Sequence, residues 1–153
     1  MVFFNFTFPS FVTSTTSDGD SHDHKYFEEM VKGTINNSFK IVSILADSAY
    51  CSKKHYKLCE ELGIKNVFLD FKKNIRKSET TTSLWQKQVK LYQEKPEEWK
   101  ESYRYRPIVE STFSTIKRKG KNYLRCRRSN SQDCEMFLKA LWYNLIIIGK
   151  SFL

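Results

Sequence analysis

Residues 41 to 71 alternate between apolar runs and an amphipathic helix, and this alternation restricts the fold more than any other feature. Ile41 to Ala46 is a near-continuous apolar run, as expected of a strand buried on both faces of a sheet. Ser52 to Leu62 has helical spacing and ends at Gly63, which suits a helix C-cap. Val67 to Phe71 is the next predicted strand. A strand–helix–strand order predicts parallel neighbours and an α/β sheet.

The regions on either side of this unit predict further elements. Alternating apolar residues predict strands at Phe3 to Phe8 and Phe11 to Thr15, and His24 to Lys32 suits a short helix. Lys72 to Glu101 is polar but contains an amphipathic helical pattern. That helix could pack on the sheet or on DNA, and the pattern favours the sheet. Glu135 to Ile148 is apolar on nearly all sides, which predicts a core helix that closes the domain.

Four residues in the last third of the chain have a spacing that matters chemically: Tyr103, Arg106, Glu110 and Lys117. Seven residues make nearly two helical turns, so Glu110 and Lys117 share one stripe of a helix. Pro107 suits the first helical position, which puts Arg106 at the mouth of that helix. The neighbouring apolar stripe should anchor it, through Val109, Phe113 and Ile116.

Charge is distributed unevenly along the 153 residues, whose 40% hydrophobic content predicts one folded domain. Residues 1–50 carry 3 Lys/Arg and 6 Asp/Glu, and residues 51–153 carry 23 and 11. The run 117–128 alone has seven cations and an embedded aromatic residue. This favours a polyanionic partner, most simply nucleic acid, although a basic surface can also be merely solvated. The predicted DNA-contacting cations of the run are Lys117, Arg118, Lys119, Lys121, Arg125, Arg127 and Arg128.

The four cysteines form no C-x2-C pair, which argues against a zinc site and favours free thiols in a reducing compartment. The apolar N-terminus has no preceding Lys or Arg and no small-residue cleavage site, so it does not suit a signal peptide. The longest apolar stretch, 136–148, is too short to cross a bilayer. We therefore expect a cytoplasmic protein without a membrane partner.

The spacing Y-x2-R-x3-E-x6-K resembles that of DDE-class insertion-sequence transposases. The segment ILADSAYCS, with Asp47 and Tyr50, matches the strand that carries the second catalytic aspartate in that family. The closing E-x3-K-x3-Y-N also agrees, at Glu135, Lys139, Tyr143 and Asn144, and the match extends roughly from residue 11 to 148. The resemblance implies an α/β, RNase H-like fold, incomplete here, with a mixed sheet flanked by helices. It also implies an inserted segment at about 72–101 and C-terminal helices at about 107–148.

The resemblance implies roles for individual residues. Asp47 and Glu110 would be catalytic acids that bind Mg²⁺ or Mn²⁺, with two ions in the intact family. Arg106 and Lys117 would contact DNA, and Tyr103 would stack on a base or position the helix. Each acid also has a structural alternative, since Asp47 could be a turn or N-cap acid and Glu110 part of a surface charge pair. Tyr103 could equally be packed against the inserted segment.

One departure from the family bears on activity. The first catalytic aspartate should lie on the opening strand, and the only aspartates before Asp47 are Asp18, Asp20 and Asp23, in a predicted loop. We therefore expect an N-terminally truncated transposase. Three functions remain open: a catalytic domain, which generally works as a homo-oligomer, a remnant that binds DNA without cleaving it, and a nucleic-acid-binding domain unrelated to transposition.

Overall fold

A computed structural model describes residues 23–71 and 82–151. The described residues form two compact units, 23–106 and 107–151. Short 3-10 helices occupy Asp23–Tyr26 and Ser48–Tyr50. The first unit contains α1 (Phe27–Asn36), β1 (Ser43–Ala46), α2 (Lys53–Glu61), β2 (Asn66–Leu69), α3 (Ser83–Glu94) and α4 (Pro96–Tyr103). The second unit contains α5 (Pro107–Gly120) and α6 (Ser129–Ser151).

The sheet of the first unit is a parallel pair of strands, as the alternation of elements predicted. Residues of β1 and β2 pair in order from Ser43 with Asn66 to Ala46 with Leu69. Both strands are four residues long: β1 starts two residues later than the apolar run at Ile41, and β2 starts one residue before Val67 and ends at Leu69. Val42 lies before β1 and is 64% exposed. The described residues therefore confirm an α/β arrangement with one parallel pair.

Helix α2 has the boundaries that its capping residues predict. The hydroxyl of Ser52 accepts a hydrogen bond from the backbone N–H of His55 at 3.2 Å, which satisfies one free donor of the first turn. Gly63 follows the helix with a φ of 72°, a left-handed conformation that costs glycine little. The backbone N–H of Ile64 then donates a hydrogen bond to the Cys59 carbonyl, at 2.8 Å, and β2 begins two residues later.

Aromatic side chains fill the space between the sheet and helices α2 to α4. Trp85 meets the rings of Tyr56 and Phe71 edge-on, with centroids 5.2 and 5.7 Å away. Tyr92 contacts Phe71 and Trp99, both at 5.1 Å between centroids. Such tilted pairs add to the stability gained from burying the ring area. Helix α3 thus covers the core, which confirms the interpretation that the sequence favoured.

The second unit begins as the sequence predicted and then differs from it. Helix α5 starts at Pro107. Its predicted apolar anchor is wrong, because Phe113 is 40% exposed and Thr112 is the buried residue of the helix. The Thr112 hydroxyl lies 3.4 Å from the Tyr143 hydroxyl of α6, and this polar contact joins the two helices.

Helix α6 is not the buried core helix that its composition suggested. Among its described side chains, Tyr143 alone is buried, at 5% exposure. A helix that is apolar on all sides would have to be surrounded to bury every side, and α5 covers only one. Large apolar side chains that stay exposed on α6 are Met136, Phe137, Leu138, Leu141, Trp142, Leu145 and Ile148.

Some predictions concern residues outside the described ranges. These are the two N-terminal strands, the aspartates at 18 and 20, and the start of the inserted segment, at 72–81. Within the described ranges, no helix has the length and hydropathy needed to cross a bilayer. All four cysteines lie in these ranges and are free thiols.

We predict that Trp85→Ala destabilises the protein by about 3–5 kcal/mol, since it removes a large side chain that is 6% exposed. Trp85→Phe should cost far less, because it keeps a ring in the cluster and removes an indole N–H that has no described partner. Urea unfolding followed by circular dichroism measures both changes. Trp142→Ala is the matched control, and an equal loss in that 38% exposed residue would contradict the prediction.

Candidate functional site

The carboxyl end of β1 is held by two hydrogen bonds to one carbonyl oxygen. The Ala46 carbonyl accepts from the backbone N–H of Asp70 and from the Tyr103 hydroxyl, both at 3.1 Å. The Tyr103 ring stacks on Trp99 with centroids 4.8 Å apart. Tyr103 therefore has a packing role at the strand end, in line with the structural alternative. Its contact with DNA stays a prediction.

Asp47 directly follows β1 and uses its two carboxylate oxygens differently. Oδ1 accepts from the Ala49 backbone N–H at 3.0 Å, so Asp47 caps the short helix that follows. Oδ2 lies 3.8 Å from Nη2 of Arg106, with the two side chains 46% and 30% exposed. The capping alternative is thus realised, and the second oxygen still faces a cation. Two predicted site residues, Asp47 and Arg106, are brought together within the first unit.

Asp70 is a carboxylate at this edge that the sequence reasoning did not single out. It directly follows β2, and Ala46 and Leu69 are paired, so Asp47 and Asp70 leave neighbouring strands at the same position. The signal was present in the sequence, because acids that follow two parallel strands must emerge at one edge of the sheet. The family pattern does not indicate Asp70, because the third acid of that pattern lies on a later helix.

Glu110 and Lys117 lie on α5, seven residues apart and both exposed. They belong to the second unit, whereas Asp47 and Arg106 belong to the first. The convergence of Asp47 with Glu110 therefore stays a prediction. Within the described ranges, no group of three His, Cys, Asp or Glu side chains is arranged to hold a metal ion.

The basic run at 117–128 differs from the other charged surfaces of the chain. All seven of its cations are exposed, and none has a carboxylate partner within 4 Å among the described residues. Several cations of the first unit are instead paired with a nearby acid in sequence: Lys32–Glu28, Lys57–Glu61, Lys90–Glu94, Lys95–Glu98 and Lys100–Glu97. The positive charge of 117–128 is consequently left open to an external anion.

Residues 121–128 form a loop between α5 and α6 that has no regular secondary structure. The carboxylate of Glu135 accepts hydrogen bonds from the backbone N–H groups of Arg125 and Cys126, at 2.7 and 3.0 Å. These bonds, with the nearby ammonium of Lys139, lower the pKa of Glu135 to about 2. The loop and α6 border an open groove of about 730 Å³, lined in part by Lys119, Lys121, Arg125 and Lys139.

The chain belongs to the Transposase DDE domain family, whose model matches residues 2–145. The match covers most of the chain and indicates a function related to transposition, not an unrelated nucleic-acid-binding module. Members of this family generally use a divalent metal and act on DNA. No individual curated protein and no solved structure matched the chain.

We predict that Glu135→Gln changes the acid sensitivity of the protein. The ordinary pKa of Glu135 is 4.5 and falls to about 2 in the fold. The stabilisation from its ionised form is therefore complete above pH 4.5 and is lost as the pH falls through about 2. Thermal unfolding between pH 6 and pH 2 should show wild type losing its advantage over Glu135→Gln in that window.

Asp133→Asn is the control for this experiment. Asp133 lies on the same helix and makes no described hydrogen bond to residues 121–128. A wild-type advantage over Glu135→Gln that stays constant down to pH 2 would contradict the assigned bonds.

Proposed function

We propose that this chain is a transposase catalytic-domain fragment that binds DNA through residues 117–128. In the intact family such a domain performs metal-dependent DNA strand cleavage and transfer on an RNase H-like fold. The observation that supports DNA binding best is the set of seven exposed cations without described carboxylate partners. Neutralising phosphates with such cations releases counterions, which is the main source of sequence-independent DNA affinity.

The chemistry of the basic run suits a nucleic-acid backbone. Arginine offers a planar fork that can bind phosphate oxygens in pairs, and lysine offers a compact point charge. Tyr123 is 55% exposed within the run, with the Lys121 ammonium 5.7 Å from its ring centre. An exposed aromatic ring between cations can stack on an unpaired base. Arg106 and Lys117 are proposed as further phosphate contacts, by family resemblance.

Asp47 and Glu110 are the residues that would hold Mg²⁺ or Mn²⁺. The donor type suits these ions, because hard divalent ions prefer carboxylate oxygens. Oδ2 of Asp47 lies 3.8 Å from the guanidinium of Arg106, a cation that could contact phosphate beside the ions. When bound, a pair of such ions activates the attacking oxygen and stabilises charge on the phosphate. The contribution of the chain is to orient Asp47, through its cap on Ala49 and through the bonds that fix the end of β1.

A second candidate function is DNA binding without cleavage. This candidate is favoured because only two of the catalytic acids of the family pattern can be assigned. Asp47 and Glu110 match that pattern, and no residue can be assigned as the first catalytic aspartate. Two carboxylates from separate elements leave a two-metal site short of a bridging ligand. This candidate and the first share the DNA surface and differ in catalysis.

We predict that the chain binds duplex DNA with strong salt dependence. The logarithm of the binding constant should fall linearly with the logarithm of salt concentration, with a slope of about −0.9 per phosphate contacted. Reversing Arg125, Arg127 and Arg128 to Glu should weaken binding for all sequences and flatten the slope. Fluorescence anisotropy with labelled duplexes measures both quantities.

The matched control reverses Lys90, Lys95 and Lys100 to Glu, which changes the net charge equally on helices whose cations are already paired. These exposed pairs contribute little to stability, so the control should fold. Equal loss of affinity in both triple variants would show that net charge, and not the basic run, governs binding. Binding that is insensitive to salt would overturn the proposal.

We predict that the chain alone does not cleave duplex or single-stranded DNA with Mg²⁺ or Mn²⁺, because two carboxylates do not complete the site. Gel assays with end-labelled DNA test this. Cleavage that is lost in Glu110→Ala and kept in Glu101→Ala would contradict the prediction and establish the first candidate, catalysis included. Glu101 is a suitable control because it is an exposed helical acid outside the family pattern.

A further inference from the structure

One motif of the sequence has no role in the proposed function: the closing series at Glu135, Lys139 and Tyr143. These residues are four apart on α6 and therefore lie on one stripe of the helix. We propose that Glu135 and Lys139 are positioning residues that hold the backbone of 121–128 in a DNA-binding shape. This inference rests on the proposed function, since it assigns the loop to DNA.

Glu135 binds the backbone of the loop and leaves the cationic side chains of the loop available. Its Oε2 accepts from the N–H groups of Arg125 and Cys126, at 2.7 and 3.0 Å. Its side chain is 17% exposed. An acid next to a basic run would ordinarily pair with a guanidinium and reduce the charge offered to DNA. Here the carboxylate satisfies two main-chain donors that have no partner in a strand or helix.

Lys139 continues the same contact one turn later along α6. Its ammonium lies 3.2 Å from Oε1 of Glu135 and donates to the carbonyl of Tyr123 at 2.8 Å. A longer bond, of 3.4 Å, reaches the carbonyl of Lys121. Glu135 thus binds N–H groups of the loop and Lys139 binds carbonyl groups of the loop. One ion pair therefore holds both kinds of main-chain group.

Two further observations agree with a held loop. Lys121 has a φ of 66°, a left-handed conformation that a lysine keeps only where its surroundings impose it. Tyr143, the third residue of the stripe, is buried and donates to Thr112 on α5, at 3.4 Å. The stripe is therefore fixed to α5 at one end and to the loop at the other.

Holding the loop should favour DNA binding, because less of its backbone then has to become ordered when DNA binds. Lys121, Arg125, Arg127 and Arg128 lie in a segment without regular structure, and like charges in such a segment repel. A backbone already fixed in the bound shape loses less conformational freedom when DNA binds. Glu135, although acidic, should therefore increase the affinity of the protein for DNA.

The sign of the effect distinguishes positioning from simple electrostatics. Removing a negative charge near a DNA surface should by itself strengthen binding, and Glu135→Ala and Glu135→Gln should then behave alike. Positioning predicts that Glu135→Ala weakens duplex binding by about three- to tenfold, because the loop must then be ordered on binding. Glu135→Gln keeps an acceptor oxygen and should bind at least three times more tightly than Glu135→Ala.

Asp133→Asn is the matched control, since it removes one negative charge from the same helix and should bind DNA as tightly as wild type or slightly more. Hydrogen exchange on the DNA-free protein gives an independent readout. The Arg125 and Cys126 amides should exchange faster in Glu135→Ala and be unchanged in Asp133→Asn. If Glu135→Ala does not fold, Lys139→Gln replaces it and should lose more affinity than Lys150→Gln on the same helix.

Equal or tighter DNA binding by Glu135→Ala than by wild type would overturn the positioning role while leaving the proposed function intact. So would equal affinities of the Lys139 and Lys150 variants. Absence of DNA binding by the wild-type protein would overturn the proposed function and the positioning role with it. Unchanged exchange at the two amides in Glu135→Ala would show that Glu135 does not hold the loop.

Discussion

The first unit depends on one carbonyl oxygen, that of Ala46 at the end of β1. A carbonyl can accept two hydrogen bonds, and here one comes from the main chain after β2 and the other from the side chain of Tyr103, the last residue of α4. Three stretches that are distant in sequence are thereby joined at one point. Asp47 follows that carbonyl directly, and the chain turns at Tyr103 to bring Arg106 to it.

Elements with local end signals were predicted well from the sequence. Ser52 and Gly63 delimit α2, and Pro107 starts α5, because capping and ring geometry act within a few residues. The exposure of α6 could not be predicted in this way, since burial depends on which elements surround a helix. For the candidate site, the sequence identified Asp47 and Arg106, whose contact is observed. It did not single out Asp70, which strand pairing places at the same edge of the sheet as Asp47, and Glu110 stays assigned by resemblance.

The two units treat their positive charge differently. Several lysines of α1 to α4 pair with a glutamate three or four residues away on the same helix, so their charge is balanced over short distances. The basic run of the second unit contains no acid between residues 117 and 128. Glu135, an acid of α6 that contacts the loop, accepts hydrogen bonds from main-chain groups. The composition of the sequence shows the total charge. The arrangement of the Lys–Glu ion pairs determines which part of that charge is available to an external anion.

The absence of acids in the basic run has a consequence for how the loop responds to its surroundings. Cations held close together push one another apart, and dissolved salt weakens that force only in part at such short range. A multivalent anion would replace repulsion with attraction at each of them. An anion that binds only the folded second unit would also stabilise its fold, so a higher affinity for the anion means a higher stability of the unit. Heparin or inorganic polyphosphate would accordingly raise the melting temperature of this protein more than sodium chloride does.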